Sequence, residues 1–351
     1  MRFLFISRRG AMLSVAMRVS QEGHIVKFFV NNLLYKILGD GLVAKADPNN
    51  IDDNDIVIFD EAGLGDYANK IKKHHPVLGA SSFADFFNTD AEYKQEVLNR
   101  FGIELSDNIK DGEEIYSVGW YNGFNFIRPF YSYFKKTKFM ENDLSIDTDC
   151  MGCLLWYHKT NNLIKKSFYK MRKELKKIGY KGAISVKYVV KEDNVDTKDI
   201  HFGFTYDDTY AALEGLRQDF GETLYRMAFD SIKKIRTSSD WLCATRVSKP
   251  PYPFQMANKY KSVSTIKGIN DANLKHIWLR DVYLDDNNEF KCANCDGFIL
   301  TVTARGLSPY KAFKRTHRTI KNLFIDNLQF RKDILVGMEE KYNRIKEWGW
   351  I

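Results

Sequence analysis

The sequence predicts an α/β protein with α+β character, in which a small doubly wound domain opens the chain and β-rich segments follow it. Residues 3–6 are an apolar run of strand length, residues 11–21 place Met12, Val15, Ala16 and Val19 on one helical face, and Ile25–Val30 is largely apolar again. Together they make a βαβ unit. Asp55–Phe59 reads as another buried strand, and it runs straight into Asp60-Glu61-Ala62-Gly63. Ligands of open parallel sheets sit at such strand ends. A third observation is the alternating aromatic pattern of residues 115–130, which predicts paired strands.

The remaining elements follow in order. Residues 163–178 have a helical period with a basic outer face, and residues 181–187 are strand-like. Residues 209–235 read as one long helix or two short ones. Pro250-Pro251-Tyr252-Pro253 marks a boundary loop, because proline fixes φ and lacks a backbone donor. Residues 297–302 are a further strand.

A length of 351 residues exceeds the roughly 250 to 300 at which one core stops growing, so several domains are expected. With 44% hydrophobic and 28% charged residues, and no apolar stretch near the ~20 residues of a membrane span, the chain reads as soluble with no membrane partner. The initial apolar run breaks at Ser7-Arg8-Arg9, too early for a signal peptide. Five cysteines, a low and odd number, point to a reducing, cytoplasmic setting. The net charge of +8 favours phosphate-bearing partners, although Lys165-Lys166 and the basic run 172–177 read first as a solvated helix face. Cys150/Cys153 and Cys292/Cys295 have zinc-ligand spacing within each pair, but the pairs are far apart and buried cysteines are the preferred reading. No metal site is expected.

Three motifs carry a family resemblance. Gly297-Phe298-Ile299-Leu300-Thr301-Val302-Thr303-Ala304-Arg305-Gly306 is followed by Tyr310-Lys311-Ala312-Phe313-Lys314-Arg315 and then by Gln329-Phe330-Arg331-Lys332-Asp333-Ile334. This order resembles the carboxyl-terminal domain of the phosphoribosylamine-glycine ligase family of ATP-grasp enzymes. The resemblance implies three domains: a pre-ATP-grasp domain over 1–105, a truncated ATP-grasp domain over 106–240, and a β-rich carboxyl-terminal domain over 241–351. It places a phosphoribosyl-binding turn at Ser7, Arg8, Arg9 and Gly10, where two arginines stand in for a glycine-rich loop. It adds Glu61, Ala62 and Leu64 after the later strand, and a basic pair at Lys135 and Lys136. A shortened substrate-side loop then runs through Asp147, Thr148, Met151 and Gly152, and Arg331 lies near the cleft.

The nucleotide side of the resemblance is depleted. Residues 98–103 and 111–117 resemble segments that the family separates by the subdomain holding the ATP phosphates, and here only a few residues lie between them. The family's metal-binding Glu falls on His201, its Asn on Gly203, its Arg on Thr205, and an upstream lysine on Ala91; Asp208 is kept. Histidine suits magnesium poorly and glycine offers no side-chain ligand. The implied reading is ATP-independent transfer of glycine, another amino acid or an amine to an activated nucleotide or a modified base in DNA. Its alternatives are a working ATP-dependent ligase of purine biosynthesis, which alone would need ATP and magnesium, and a non-catalytic nucleotide-binding descendant. Candidate catalytic groups are Glu61, Asp147, His201 and Asp208. His201 titrates near neutrality as a base or ligand would, against the reading of a structural histidine in a strand.

Overall fold

The structure, a computed structural model, describes residues 1–47, 51, 55–60, 62–106, 111–254 and 264–351. Glu61 lies outside the described residues.

The opening domain is a five-stranded parallel sheet of β1 (Arg2–Ser7), β2 (Ile25–Val30), β3 (Ala44–Lys45), β4 (Asp55–Phe59) and β5 (Val77–Leu78), in the order β3-β2-β1-β4-β5. β1 and β4 are almost wholly buried, which is why they read as continuous apolar runs rather than alternating ones. The crossover helix α1 (Leu13–Gln21) buries Leu13, Val15, Ala16, Met17 and Val19. It starts two residues later than the periodicity predicts, because the chain first turns at Gly10. There φ is 79°, the Ser7 hydroxyl accepts from the Gly10 amide at 2.7 Å, and the Leu13 amide donates to the Gly10 carbonyl at 3.1 Å.

After helices α2 (Gly65–Ile71), α3 (Ser82–Thr89) and α4 (Ala91–Phe101), a large antiparallel sheet begins. Its strands are β6 (Glu113–Asn122), β7 (Phe126–Met140), β8 (Leu144–His158), β9 (Lys181–Val190), β10 (Val195–Phe202), β11 (Trp241–Ser248), β12 (Ile277–Leu279) and β15 (Phe298–Gly306). The order is β10-β9-β6-β7-β8-β11-β15-β12, and a separate hairpin is formed by β13 (Val282–Leu284) and β14 (Phe290–Cys292). The expected pairing over 115–130 is β6 with β7, closed by Asn122, whose side chain accepts from the amides of Phe124 and Asn125. The basic helical stretch divides at Ser167 into α5 (Asn162–Lys166) and α6 (Phe168–Ile178), and residues 209–235 hold two short helices, α7 (Asp207–Gly215) and α8 (Phe220–Ala228). Short α9 (Asp271–Leu274), then α10 (Pro309–Lys321) and α11 (Met338–Glu347), complete the set.

The large sheet separates two cores. Tyr131, Tyr133, Leu155, Ala244 and Val302 pack with α1, α7 and α8 on one face. Phe130, Phe134, Leu154 and Cys243 pack with α4, α6 and Ala312 of α10 on the other. The tail joins the second core: Trp348 and Trp350 pack against it, and the Trp350 indole donates to the Lys191 carbonyl at 2.9 Å. Strand β11 pairs with both β8 and β15, so residues on either side of position 240 share one sheet. Among the described residues no helix is long and apolar enough to cross a membrane.

One expectation changes here. Residues 147–152 are part of β8, not a loop: Gly152 pairs with Lys136 of β7 and Thr245 of β11. A Cβ at Gly152 would lie 2.5 Å from Ile334 Cδ1 and 2.8 Å from the Ala244 carbonyl oxygen, so glycine here admits close packing of the carboxyl-terminal segment.

Arg331 pins that segment to the β7–β8 hairpin. Only 1% exposed, it forms a fork with Asp333 at 2.7 and 2.6 Å and donates through Nη1 to Asp143 and to the Lys138 carbonyl, both at 2.9 Å. Asp143 is half exposed and Asp333 partly so, and losing the guanidinium that joins them costs on the order of 1–3 kcal/mol. Arg331→Met is therefore expected to lower the midpoint of chemical denaturation strongly, whereas the exposed neighbour Lys332→Met leaves it within experimental scatter.

Candidate functional site

A cleft of about 440 Å³ opens between the carboxyl ends of β1 and β4 and the adjoining face of β6–β10. Arg8, Arg9 and Ala62 form one wall, at the strand ends where an open parallel sheet presents its ligands. The Arg8 guanidinium donates to the Ala62 carbonyl at 3.0 Å, which ties the two strand ends together. The opposite wall follows from the pleat, since every second residue of a strand faces the same side. It carries Tyr116 of β6, Tyr133 and Lys135 of β7, Asp149 of β8, Ser185 and Lys187 of β9, and Asp199 and His201 of β10.

The charges on this wall are ordered. Lys135 sits 3.4 Å from Asp149 and 4.7 Å from the Tyr116 ring centroid, and Tyr116 stacks on Tyr133 at 5.0 Å. Lys187 pairs with Glu114 at 2.6 Å, and Asp199 with Lys94 at 2.5 Å. Burial alone would lower the Lys135 pKa, but Asp149 and Tyr116 outweigh it and hold the ammonium above its ordinary range. Desolvation would raise Asp149, but Lys135 and Arg246 hold its carboxyl below the usual carboxylate range. Burial pushes His201 down, so its imidazole is neutral near pH 7 even with Asp199 and Asp149 nearby.

Two aspartates at the start of α7 underlie the cleft. Asp207 is buried, accepts from Thr301 at 2.6 Å and is ion-paired with buried Arg246, which also donates to the Tyr252 hydroxyl at 2.8 Å. Asp208 accepts from Tyr131 at 3.1 Å and from Thr205 at 2.8 Å. Burial pushes its pKa up to about 6.

The structure gathers Arg8, Arg9, Ala62, Lys135 and His201 in the cleft, with Asp208 beneath it. Ser7 and Gly10 shape the turn behind the arginines. Other predicted site residues lie elsewhere. Lys136 is paired with Asp143 at 2.9 Å on the opposite face from Lys135, because adjacent strand residues point opposite ways. Asp147 is exposed and held by Lys138 at 2.7 Å, and the Thr148 hydroxyl donates to the Thr137 carbonyl at 2.6 Å. Met151 is fully buried, Gly152 packs under Ile334, Leu64 caps α2 against the core of the small sheet, and Arg331 forms the pin described above. Sequence reading missed Tyr116, Tyr133, Asp149, Ser185, Lys187 and Asp199. Period-two spacing within the predicted strands 115–130 and 181–187 held a signal for Tyr116, Ser185 and Lys187 only.

His201, Gly203 and Thr205 make a poor donor set for magnesium. His201 offers nitrogen, Gly203 offers no side chain, and the Thr205 hydroxyl is already committed to Asp208. Among the described residues, the only His, Cys, Asp and Glu trio close enough to share an ion is Glu22, His24 and Asp219. It lies outside the cleft, and its carboxylates accept from the first amides of α8, Glu22 from Phe220 and Gly221 at 2.9 Å and Asp219 from Glu222 at 2.6 Å. That helix-capping duty accounts for the trio.

Asp208 gives a pH signature. Its folded pKa of about 6 lies above the ordinary carboxylate value of 3.8, so the folded state binds the proton more tightly than the unfolded chain. Stability is therefore expected to fall as pH rises from about 4 to above 6, by an amount on the order of 3 kcal/mol. Asp208→Asn should remove this part of the slope in denaturation series at pH 4.5 and 7.5. The contribution of buried Asp281, also raised to about 6, remains. An unchanged slope would show that Asp208 is not the titrating group.

Neither a protein-family model nor a curated protein sequence matches the chain. Solved structures do. A phosphoribosylamine-glycine ligase from Thermotoga maritima superimposes with a TM-score of 0.74 at 12% identity, covering 95% of this chain and 100% of the other. A phosphoribosylglycinamide synthetase from Anaerococcus prevotii gives 0.61 at 10% identity, over 92% and 98% of the two chains. Biotin carboxylase from Campylobacter jejuni, solved as a β,γ-ATP complex, gives 0.61 at 12%, over 98% and 96%. At such identities the likeness speaks for architecture: this chain shares the fold of these two ligases and the carboxylase.

Proposed function

We propose that the cleft binds a phosphoribosyl or nucleotide ligand and serves the transfer of glycine, another amino acid or an amine to an already activated nucleotide or a modified base in DNA, with no ATP of its own. The observation that carries this reading is the contrast across the cleft. Arg8, Arg9, Lys135 and Lys187 supply a phosphate-binding lining, while the metal-ligand positions hold His201, Gly203 and Thr205. Arginines suit bidentate phosphate contacts.

In this reading Arg8 and Arg9 hold the phosphate or pyrophosphate that activates the acceptor carbon. The attacking amine forms the new carbon–nitrogen bond as the carbon–oxygen bond to phosphate breaks. The electron pair leaves with the phosphate, whose growing charge the arginines stabilise. The amine attacks as the free base and becomes cationic as the bond forms, and neutral His201 takes that proton. The close architectural match to a phosphoribosylamine-glycine ligase favours a second reading, an ATP-dependent ligase.

A thermal-shift titration separates the two, since a ligand that binds only the folded state raises the midpoint. Ribose 5-phosphate and 5-phosphoribosyl compounds should raise it, and ATP with magnesium should not. Arg8→Ala/Arg9→Ala should weaken the phosphoribosyl compounds by about 10–100-fold, the loss expected for one or two charged hydrogen bonds. His201→Gln should keep that binding and abolish transfer. A midpoint rise with ATP and magnesium alone would replace this reading with the ligase.

A further inference from the structure

We propose that the solvent face of α10 is a docking surface for single-stranded nucleic acid, distinct from the cleft. Lys311, Lys314, Arg315 and Arg318 are all exposed and stand at positions i, i+3, i+4 and i+7, one continuous stripe, which exposed Lys321 extends. From Lys311 to Lys321 the stripe runs about 15 Å at 1.5 Å per residue. The helix has no Asp or Glu, and among the described residues none of the five cations forms an ion pair. Basic α6, by comparison, carries an acid of its own, Glu174, which pairs with Lys177 at 2.7 Å. An unneutralised row of this kind is the electrostatic footprint of a polyanion.

Exposed aromatics bracket the row. Tyr310 is 57% exposed at its start, and Phe324 is 68% exposed just beyond its end. Cations along a backbone track, with rings that accept bases, are the features of single-strand binding; a duplex offers no free bases to such rings. A lipid surface fits less well, because an interfacial helix must insert its apolar face. Here that face is already occupied: Ala312, Thr316 and Ile320 are buried, and the Thr316 and Thr245 hydroxyls meet at 3.4 Å. Thr245 and Arg246 are successive residues of β11, and Arg246 reaches Asp207 beneath the cleft. The α10 surface and the cleft therefore lie on opposite faces of the large sheet, and either works without the other.

The test is fluorescence anisotropy of a labelled 20-nucleotide mixed-sequence DNA strand, beside its duplex and anionic phosphatidylserine vesicles. The single strand should bind more tightly than the duplex, with log K falling against log salt at a slope of about −3, as expected for four or five neutralised phosphates. Lys314→Glu/Arg318→Glu should bring that slope close to zero while leaving the circular dichroism and melting midpoint unchanged, because both residues are exposed. Tyr310→Ala/Phe324→Ala should weaken binding at every salt concentration and leave the slope alone. Equal binding by the wild type and the charge-reversed protein, tighter binding of the duplex, or binding to vesicles alone would each overturn the proposal. Arg8→Ala/Arg9→Ala should not alter strand binding, so failure at the cleft and failure at α10 are read separately.

Discussion

The pleat of the large sheet is the constraint from which the rest of this molecule follows. Side chains must alternate between its faces, so a single strand serves two environments at once. On β7, Tyr131, Tyr133 and Lys135 belong with the cleft and the first core, while Phe130, Phe134 and Lys136 belong to the other side. On β11, Ala244 and Arg246 face one way and Cys243 and Thr245 the other. The other strands repeat this choice, which yields one face that carries the charged cleft wall beside the first core and one that is mostly apolar.

Polar groups on the inner wall are tolerated because they are connected. Arg246 is desolvated, yet it meets Asp207 and Tyr252 and lies over the Phe298 ring at 4.0 Å. Arg280 lies over the same ring from 4.4 Å and pairs with Asp296 at 3.3 Å. A flat guanidinium can stack on an aromatic face while its edge makes ion pairs, which an ammonium cannot do equally well. Phe298 thus lies between two arginines, and α7, β11, β15 and the segment before β13 are drawn together around it. Buried charge of this kind gives modest net stability but penalises any other arrangement of the same elements.

The sequence made much of the fold legible and rather less of the site. Apolar strands stood out: Ile25–Val30 and Asp55–Phe59 occupy the bounds their composition suggested, the second buried throughout. The turn at Ser7–Gly10 was legible as a strand end, and so were its arginines. The pairing of Lys135 and Lys136 was misleading, because adjacency in sequence means opposition in a strand. The family resemblance implied a loop over 147–152, but these residues lie within β8, which pairs with β7 at Asp147 and Gly152 and with β11 at Gly152. Asp149 and Asp199 carry no local signal at all. Their place in the cleft comes from the register of β8 and β10 in the sheet, and register is set by long-range pairing that a one-dimensional pattern does not contain.

Sharing one sheet between residues before and after position 240 also bears on how the chain reaches this state. β8 must wait for β11, whose partner residues lie nearly ninety positions later, and β11 must wait for β15, more than fifty positions on. Contacts of such sequence separation are slow to form because loop closure precedes their reward. During synthesis the edge of β8 is therefore left open until the carboxyl-terminal third has emerged. That edge, Gly152 to Leu155, is apolar, so it offers an unpaired strand to other chains until β11 covers it.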